Sequence, residues 1–208
     1  WARGNSVPGI PAEPPQTEPR SSHIDWPSPT LPWLAVAFKA PAYSDEIKDK
    51  AALDLLSEIA FGRNSDLYRR LVLEQQKVDD LDVDFGNHPD PELFTVYARV
   101  KKQQDVEDVR EQVLATFARF AREQVDQPKL DATRSRMRYG FALRMNSSPA
   151  IAAALAPYIL LRRTPETIDK LFALYQQITP QDIYMMAAKY FTESNRTIVT
   201  LASKAGTK

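Results

Sequence analysis

The sequence predicts an α+β fold, a two-layer sandwich in which helices cover one face of a mostly antiparallel sheet. One observation is a set of short apolar or alternating segments near both ends and in the middle of the chain, which is the pattern of strands. A second is a long block between residues 105 and 191 in which apolar residues recur every three or four positions, which is the pattern of helices. Because strands lie on both sides of this block, we expect them to share one sheet, with the helices on one face of it.

The N-terminal part of the chain is rich in proline. Eight of the 16 prolines lie at or before residue 32, and proline fixes φ and removes a backbone donor, so this stretch runs extended. We interpret residues 1–20 as a Pro-rich interdomain linker and residues 21–208 as one domain. Residues 23–26 are a candidate edge strand between prolines. Since the chain begins at Trp1 and not at methionine, we interpret it as a piece of a longer precursor.

The first strong strand pattern is residues 33–39, which are almost wholly apolar and are therefore expected in the middle of the sheet. A helix is predicted to begin at residues 44–46 and to end at Gly62. Its apolar stripe consists of Ile47, Ala51, Leu55 and Ile59. The next helix is expected to be capped by Ser65 or Asn64. Its inward-facing residues are Leu67, Tyr68, Leu71 and Val72.

The middle of the chain predicts an antiparallel hairpin. Residues 78–85 alternate acidic and apolar side chains, residues 93–100 form the returning strand, and turn residues lie between them. Two of the later helices are predicted to begin with a capping threonine followed by proline, at Thr164 and Thr179. The predicted helices cover residues 105–125, 129–145, 151–163, 164–178 and 179–191, and a last strand covers residues 197–201.

The composition excludes several classes of function for these residues. Lys plus Arg and Asp plus Glu both number 27, so the net charge is zero and no basic surface for nucleic acid or an anionic membrane is expected. No apolar run reaches the length of a membrane span. The lack of cysteine excludes disulfides, thiolate metal sites and a cysteine nucleophile.

Few residues are candidates for chemistry. His23 and His88 stand apart, without the spacing of a zinc motif, and are interpreted as surface loop histidines. No glycine-rich phosphate loop or nucleophile motif is present. We therefore predict no catalytic, cofactor-binding or metal-binding residue in this chain.

Two charged groups have a simple interpretation. The acidic group is Asp79, Asp80, Asp82 and Asp84. We interpret it as a solvated strand face, since a calcium loop needs curvature and a glycine. The basic group is Arg134, Arg136, Arg138 and Arg144. Along a helix these side chains point in several directions, which favours an exposed face over an anion site.

The segment FGRNSDLYRRLVLEQQKV, residues 61–78, carries a recognisable motif. It resembles the G-x-x-S-x-L-Y-x-x-L stretch that closes the first helices of the C-terminal domain in the pitrilysin/insulinase family of zinc metallopeptidases. Other pieces are similar in the same order, and the resemblance covers about residues 10–203. These pieces are Pro14-Pro15-Gln16 (interdomain linker), Phe38-Lys39-Ala40-Pro41 (first strand), Lys129–Tyr139 (a long helix) and Ile178–Ile183 (a V-T-x-x-D-V helix start).

The resemblance implies two homologous α+β halves that enclose a chamber for peptides. It implies zinc in the N-terminal half, on an inverted H-x-x-E-H motif whose glutamate takes a proton from water. This chain lacks that motif, so zinc is implied only for the missing N-terminal half, and no cofactor is expected here. One-chain members also carry an Arg and a Tyr that stabilise an oxyanion, and the aligned positions here are Val72 and Asp79. Neither can supply that hydrogen bond at neutral pH, and although Arg70 lies close, no tyrosine follows it at the family's spacing.

This departure resembles the zinc-bearing chain of bacterial two-chain members. We therefore expect the non-catalytic C-terminal half of a zinc metalloendopeptidase, which forms part of the peptide-binding chamber and is inactive alone. The expected partners are its own N-terminal domain, a homologous partner subunit and a peptide substrate, without nucleic acid or membrane. The expected location is the periplasm, and the cytoplasm is the alternative, since a chain without cysteine suits both compartments.

Two alternatives stay open. One is a catalytically inactive scaffold, similar to the core subunits of respiratory cytochrome reductase. The other is a peptide-binding homologue or module that uses an exposed sheet edge.

Overall fold

The structure is a computed structural model that describes residue 11 and residues 13–204. Most of the predicted linker, residues 1–10 and 12, lies outside the described residues. The strands are β1 (Arg20–Trp26), β2 (Trp33–Lys39), β3 (Val78–Asp84), β4 (Leu93–Val100) and β5 (Arg196–Ser203). The main helices are α1 (Lys48–Ala60), α2 (Asp66–Tyr68), α3 (Val106–Phe120), α4 (Gln127–Arg144), α5 (Ser148–Arg162), α6 (Glu166–Gln177) and α7 (Pro180–Tyr190).

The five strands form one mixed sheet in the order β1-β5-β2-β4-β3. Only β1 and β5 pair in parallel, and the other three pairings are antiparallel. The predicted strands at residues 33–39 and 93–100 have the observed bounds, and the candidate edge strand is confirmed as β1, three residues longer at its start. The α+β prediction, with a mostly antiparallel sheet, is therefore confirmed.

The core lies between the sheet and the helices. Alternate residues Leu34, Val36 and Phe38 of β2 are at most 2 % exposed and face the helical layer, whereas the residues between them face the other way. Phe117 of α3 is the centre of an aromatic cluster, with ring centroids 4.7 Å from Phe38 and 4.7 Å from Phe191. This cluster joins β2, α3 and the end of α7 into one packing unit.

Helix α1 begins later than predicted. The side chain of Ser44 accepts hydrogen bonds from the amides of Glu46 and Ile47, at 3.2 Å and 2.9 Å, which forms a turn before the helix. Ile47 has extended backbone angles and is 62 % exposed, so its assignment to the buried stripe was wrong. The other members, Ala51, Leu55 and Ile59, are buried as predicted.

Helix starts follow local capping chemistry at two of the predicted positions. Ser65 accepts the amide of Tyr68 at 3.0 Å and begins α2, which continues as a π-helix over Arg69–Glu74. Thr179 and Asp182 form a complete capping box at the start of α7. At α6 the prediction was wrong, because the cap residue is Pro165, and the Thr164 hydroxyl accepts only the amide of Glu166 at 3.3 Å.

Gly140 offers a test of helix packing, because it lies inside α4 and its φ is not positive. A Cβ at this position would meet no atom within 4 Å. Gly140→Ala is therefore expected to raise the free energy of unfolding by about 0.5–1 kcal/mol, through lower entropy of the unfolded chain. Urea denaturation measures this change.

The matched control is Gly62→Ala. Its Cβ would lie 2.6 Å from the backbone oxygen of Glu58, so this variant is expected to lose stability. Equal effects of the two substitutions would contradict the packing described for Gly140.

Asp66 connects the start of α2 to α3 and α4 and gives a pH-dependent prediction. The hydrogen bond from Lys129, at 3.1 Å, holds the pKa of Asp66 below its usual value, and Arg119 and Arg69 add positive charge. A lowered pKa contributes stability above the unfolded value of about 3.9, and this contribution is lost as pH falls through the folded value. As the pH is lowered from about 5 to about 2, the free energy of unfolding should therefore fall less in Asp66→Asn than in the wild type. Unfolding by urea at several pH values compares the variant with the wild type.

Candidate functional site

The sheet has one face that no described helix covers, and we call it the open face. It carries side chains from all five strands that alternate with the core residues, as the pleat requires. The apolar side chains on it are Ile24, Trp26, Trp33, Leu93, Tyr97, Val199 and Leu201. Trp26 is 46 % exposed, Leu93 48 % and Tyr97 37 %, so the open face presents ring and aliphatic surface to solvent.

The acidic residues of β3 lie on one side of the open face. Asp80 pairs with Arg99, Asp82 with Tyr97 and Asp84 with Thr95 in the register of β4, which places the three carboxylates on the open face. All three are exposed, so the predicted solvated strand face is confirmed. Their neighbours on β4 are a cation, an aromatic ring and a hydroxyl, so the acidic edge borders a mixed surface.

Residues 13–16 cross one corner of the open face. The carboxylate of Glu13 lies 2.8 Å from the Lys39 ammonium, which also donates to the backbone oxygen of Pro14. The amide side chain of Gln16 donates to the backbone oxygen of Arg196 at 2.9 Å. The end of the predicted linker is therefore attached to the β2 and β5 ends of the sheet.

Strands β1 and β3 are the outer strands, so each has one edge without a strand partner in the described part of the chain. All residues of β1 are exposed. On β3 the amide of Val83 donates to the Asp82 side chain at 2.9 Å, which indicates that this amide points away from β4. An open edge of this kind can accept an extended peptide as an added strand.

The two histidines lie far apart, and each approaches a single carboxylate. His23 lies in β1, not in a loop as predicted; its ring lies 2.7 Å from the Thr200 hydroxyl and 3.5 Å from Asp25. His88 lies in the loop between β3 and β4, and its ring is 3.1 Å from Glu92. Among the described residues no three His, Cys, Asp or Glu side chains form a group that could hold a metal ion.

A buried polar network joins α1 to α6. The Lys50 ammonium donates to Asp54 at 2.5 Å and to the backbone oxygen of Phe85 at 3.4 Å, and it lies 3.9 Å from the Phe85 ring centroid. The Tyr175 hydroxyl donates to the second Asp54 oxygen at 2.9 Å. Burial raises the pKa of Tyr175 well above its ordinary value, so it stays a donor at neutral pH. Because each charge is paired, the network offers no free base or nucleophile.

The network was not found from the sequence, although a signal was present. Lys50 and Asp54 have the i,i+4 spacing of a helical ion pair on the predicted first helix. Such a pair is most often at the surface, whereas the Lys50 side chain is 2 % exposed. The burial follows from the loop that contains Phe85, which no local pattern predicts.

The four arginines of α4 separate into two pairs, as their helical spacing predicts. Arg136 and Arg144 line one cavity, and Arg134 and Arg138 line another. The expectation of an exposed face was wrong for Arg134, whose side chain is 10 % exposed. It donates to Asp131 at 2.7 Å and to the backbone oxygen of Ile178, so it connects α4 to the end of α6.

Neither position aligned with the Arg and Tyr of the one-chain peptidases presents a free donor. Val72 is half-buried and packs against the core from the π-helical segment. Asp79 is the second residue of β3, and its carboxylate accepts from Arg99 at 2.8 Å. Val72 therefore contributes packing, and Asp79 contributes a surface ion pair.

Family comparison identifies the domain. A family model described as "Peptidase M16 inactive domain" matches residues 2–137, and the chain belongs to this family. A zinc protease of Helicobacter pylori, PqqE, is 23 % identical over 190 residues, which are 91 % of this chain and 42 % of that protein.

Solved structures show the same fold. A protease from Helicobacter pylori superposes with a TM-score of 0.85 at 22 % identity, over 97 % of this chain and 48 % of that one. A peptidase M16 inactive domain from Pseudomonas fluorescens superposes with a TM-score of 0.79 at 16 % identity, over 99 % of this chain and 48 % of that one. The chain therefore spans about half the length of these relatives.

Proposed function

We propose that this chain is the non-catalytic C-terminal half of a zinc metalloendopeptidase and forms part of the chamber that binds its peptide substrate. The observation that carries the proposal is the open face, which exposes Trp26, Leu93 and Tyr97 in an inactive domain of a peptidase family. Exposed apolar surface of this kind is typical of a surface that contacts another domain or a ligand. The acidic side chains of β3 add a preference for peptides with positive charge.

The zinc of the proposed enzyme is assigned to the other half of the protein. The described residues do not fit a zinc site, since His23 and His88 each approach one carboxylate and no third ligand. The role of this half is to bind and orient peptide. Its partners are an N-terminal domain and, by the resemblance to two-chain members, a homologous partner subunit.

The first test compares the chain alone with the same chain joined to its N-terminal half. The isolated chain should bind no stoichiometric zinc by elemental analysis and should hydrolyse no peptide, while the longer protein should cleave peptides only with zinc. One tight zinc per isolated chain, or metal-dependent cleavage by it, would refute the proposal. A longer protein without an H-x-x-E-H motif and without cleavage would also refute it.

The second test examines the open face in the longer protein. Tyr97→Ala is expected to lower kcat/KM for a peptide by about fivefold or more, because an aromatic contact is worth about 1 kcal/mol. The matched control is Tyr139→Ala, a 70 % exposed tyrosine on α4, which should leave kcat/KM unchanged. Equal loss in both variants, or none in Tyr97→Ala, would mean that the open face does not contact the substrate.

The alternative is a peptide-binding homologue without catalysis, and the open edges of β1 and β3 favour it. It predicts that the isolated chain captures an extended basic peptide without metal. It also predicts that the N-terminal half lacks the zinc motif, whereas the peptidase proposal requires that motif. Sequencing upstream of Trp1 distinguishes the two.

The resemblance also leads us to propose a periplasmic location. Among the described helices none has both the length and the apolar composition of a membrane span. Cell fractionation with antibody against this chain tests the location, and recovery in the cytosolic fraction would contradict it.

A further inference from the structure

A cavity of about 370 Å³ lies between α4, α5 and α6, away from the open face. Its size is in the range of sites for small ligands. Four aromatic side chains form its walls: Phe141, Tyr158, Phe172 and Tyr175. Such walls suit a ring or a large aliphatic side chain.

The aromatic walls hold one another in place. Phe141 meets Tyr158 edge-on at 6.2 Å and Phe172 at 5.2 Å, and Phe172 meets Tyr175 edge-on at 5.5 Å. The hydrogen bond from Tyr175 to Asp54 anchors this side of the cavity to α1. The cavity is therefore built on three helices and the buried polar network.

Two arginines, Arg136 and Arg144, line the cavity. Arg136 is 3.9 Å from Glu58, which offsets its charge. Arg144 has no carboxylate within 4 Å among the residues that the structure describes, and its guanidinium lies 5.8 Å from the Phe141 ring. Burial and the Asp54 carboxylate raise the pKa of Tyr158, so its hydroxyl stays protonated and can donate. The lining of the cavity thus includes the protonated Tyr158 and one arginine without a carboxylate partner among the described residues.

We infer that this cavity binds the C-terminal residue of a peptide, with a large apolar side chain among the four rings and the free carboxylate on Arg144. An apolar ligand without charge would leave Arg144 unused, and a cationic ligand would be repelled by it. A small inorganic anion would leave the aromatic walls unfilled. This inference rests on the proposed function, in which the protein contacts peptides, and it names one feature of the peptide that is recognised.

Gly140 gives a way to fill the cavity. It lines the cavity, and a Cβ there would meet no atom within 4 Å. Gly140→Leu is expected to extend a side chain from this open position into the cavity. We expect the substitution to block the cavity, and circular dichroism and urea denaturation check that the fold is kept.

The experiment is calorimetric titration of the 208-residue chain, without zinc, with the tripeptide Ala-Ala-Phe and its C-terminal amide. Binding of Ala-Ala-Phe is expected at millimolar concentration or below, with the amide at least about tenfold weaker because a charge-assisted hydrogen bond is lost. Ala-Ala-Ala should not bind.

The variants test the lining residues. Arg144→Gln should weaken the binding of Ala-Ala-Phe by about tenfold or more. Gly140→Leu should abolish binding. The matched control, Arg138→Gln, changes an arginine of the same helix that lines a different cavity and should bind as the wild type does.

Several results would overturn the inference. They are no binding of Ala-Ala-Phe, equal binding of acid and amide, or equal loss in Arg138→Gln and Arg144→Gln. If phenylpropionate binds as tightly as the tripeptide, the ligand is a free aromatic acid and the peptide assignment is wrong. These measurements need neither zinc nor the N-terminal half. The tripeptide can therefore fail to bind while the chamber proposal stands, and the chamber proposal can fail while the tripeptide still binds this cavity.

Discussion

Val113→Asp is expected to leave the domain largely unfolded at 25 °C. Val113 is fully buried in α3, on the side of the helix that faces the aromatic cluster around Phe117. A carboxylate there would lie without a partner in the core, or would take up a proton at a cost in free energy. We expect a loss of about 4 kcal/mol or more, which is a large part of the roughly 5–15 kcal/mol that stabilises a typical domain. Far-UV circular dichroism and urea denaturation measure it.

The matched control is Ala118→Asp, on the exposed side of the same helix. Its loss should stay within about 2 kcal/mol, because helix propensity falls and the new carboxylate lies at the negative end of the helix dipole. The same comparison with Phe117→Asp should reproduce the large loss. A soluble Val113→Asp variant with the urea midpoint of the wild type would show that α3 does not pack on the sheet through this side.

Lys50→Met is expected to lower the free energy of unfolding by about 3–5 kcal/mol. Methionine keeps most of the side-chain volume but removes the partner of Asp54, which is itself mostly buried. The remaining hydrogen bond from Tyr175 offsets only part of the cost of a buried carboxylate. Chemical denaturation of the purified variant measures the loss.

Two controls separate burial from charge. Lys77→Met removes the partner of Asp108 at a more exposed ion pair, 2.8 Å long, and should cost less than about 1 kcal/mol. The double variant Lys50→Met/Asp54→Leu removes both charges and should recover part of the loss, although the Tyr175 hydroxyl then lacks its acceptor. If Lys50→Met costs no more than Lys77→Met, the buried ion pair has no special role in stability.

Local patterns predicted the types of the elements, because the type of a helix or strand depends mainly on residues that are close in sequence. The apolar run of β2 and the returning strand β4 follow the period of two, and the Thr179–Asp182 capping box is complete within four residues. Ile47 shows the limit of this approach. Its spacing fits the apolar stripe, but the Ser44 side chain binds the amides before the helix and leaves Ile47 in solvent.

The candidate sites depended more on the tertiary structure. The acidic face of β3 was predicted, because alternation along one strand determines it. The open face, in contrast, combines side chains from five strands in the order β1-β5-β2-β4-β3, and sequence order does not indicate which strands are neighbours. The same is true of the cavity lined by Arg144, Tyr158 and Tyr175, which lie on three helices.

The sequence by itself determined the α+β class, the order and approximate position of most elements, and the resemblance to a peptidase family. These follow from short-range periodicity, capping and motif spacing. Only the tertiary structure decided that Lys50 is buried, that Arg134 connects two helices and that one face of the sheet is open. The physical reason is that burial depends on what packs against a side chain. For Lys50 that neighbour is Phe85, which is distant in sequence and is brought close only when the sheet and the helices meet.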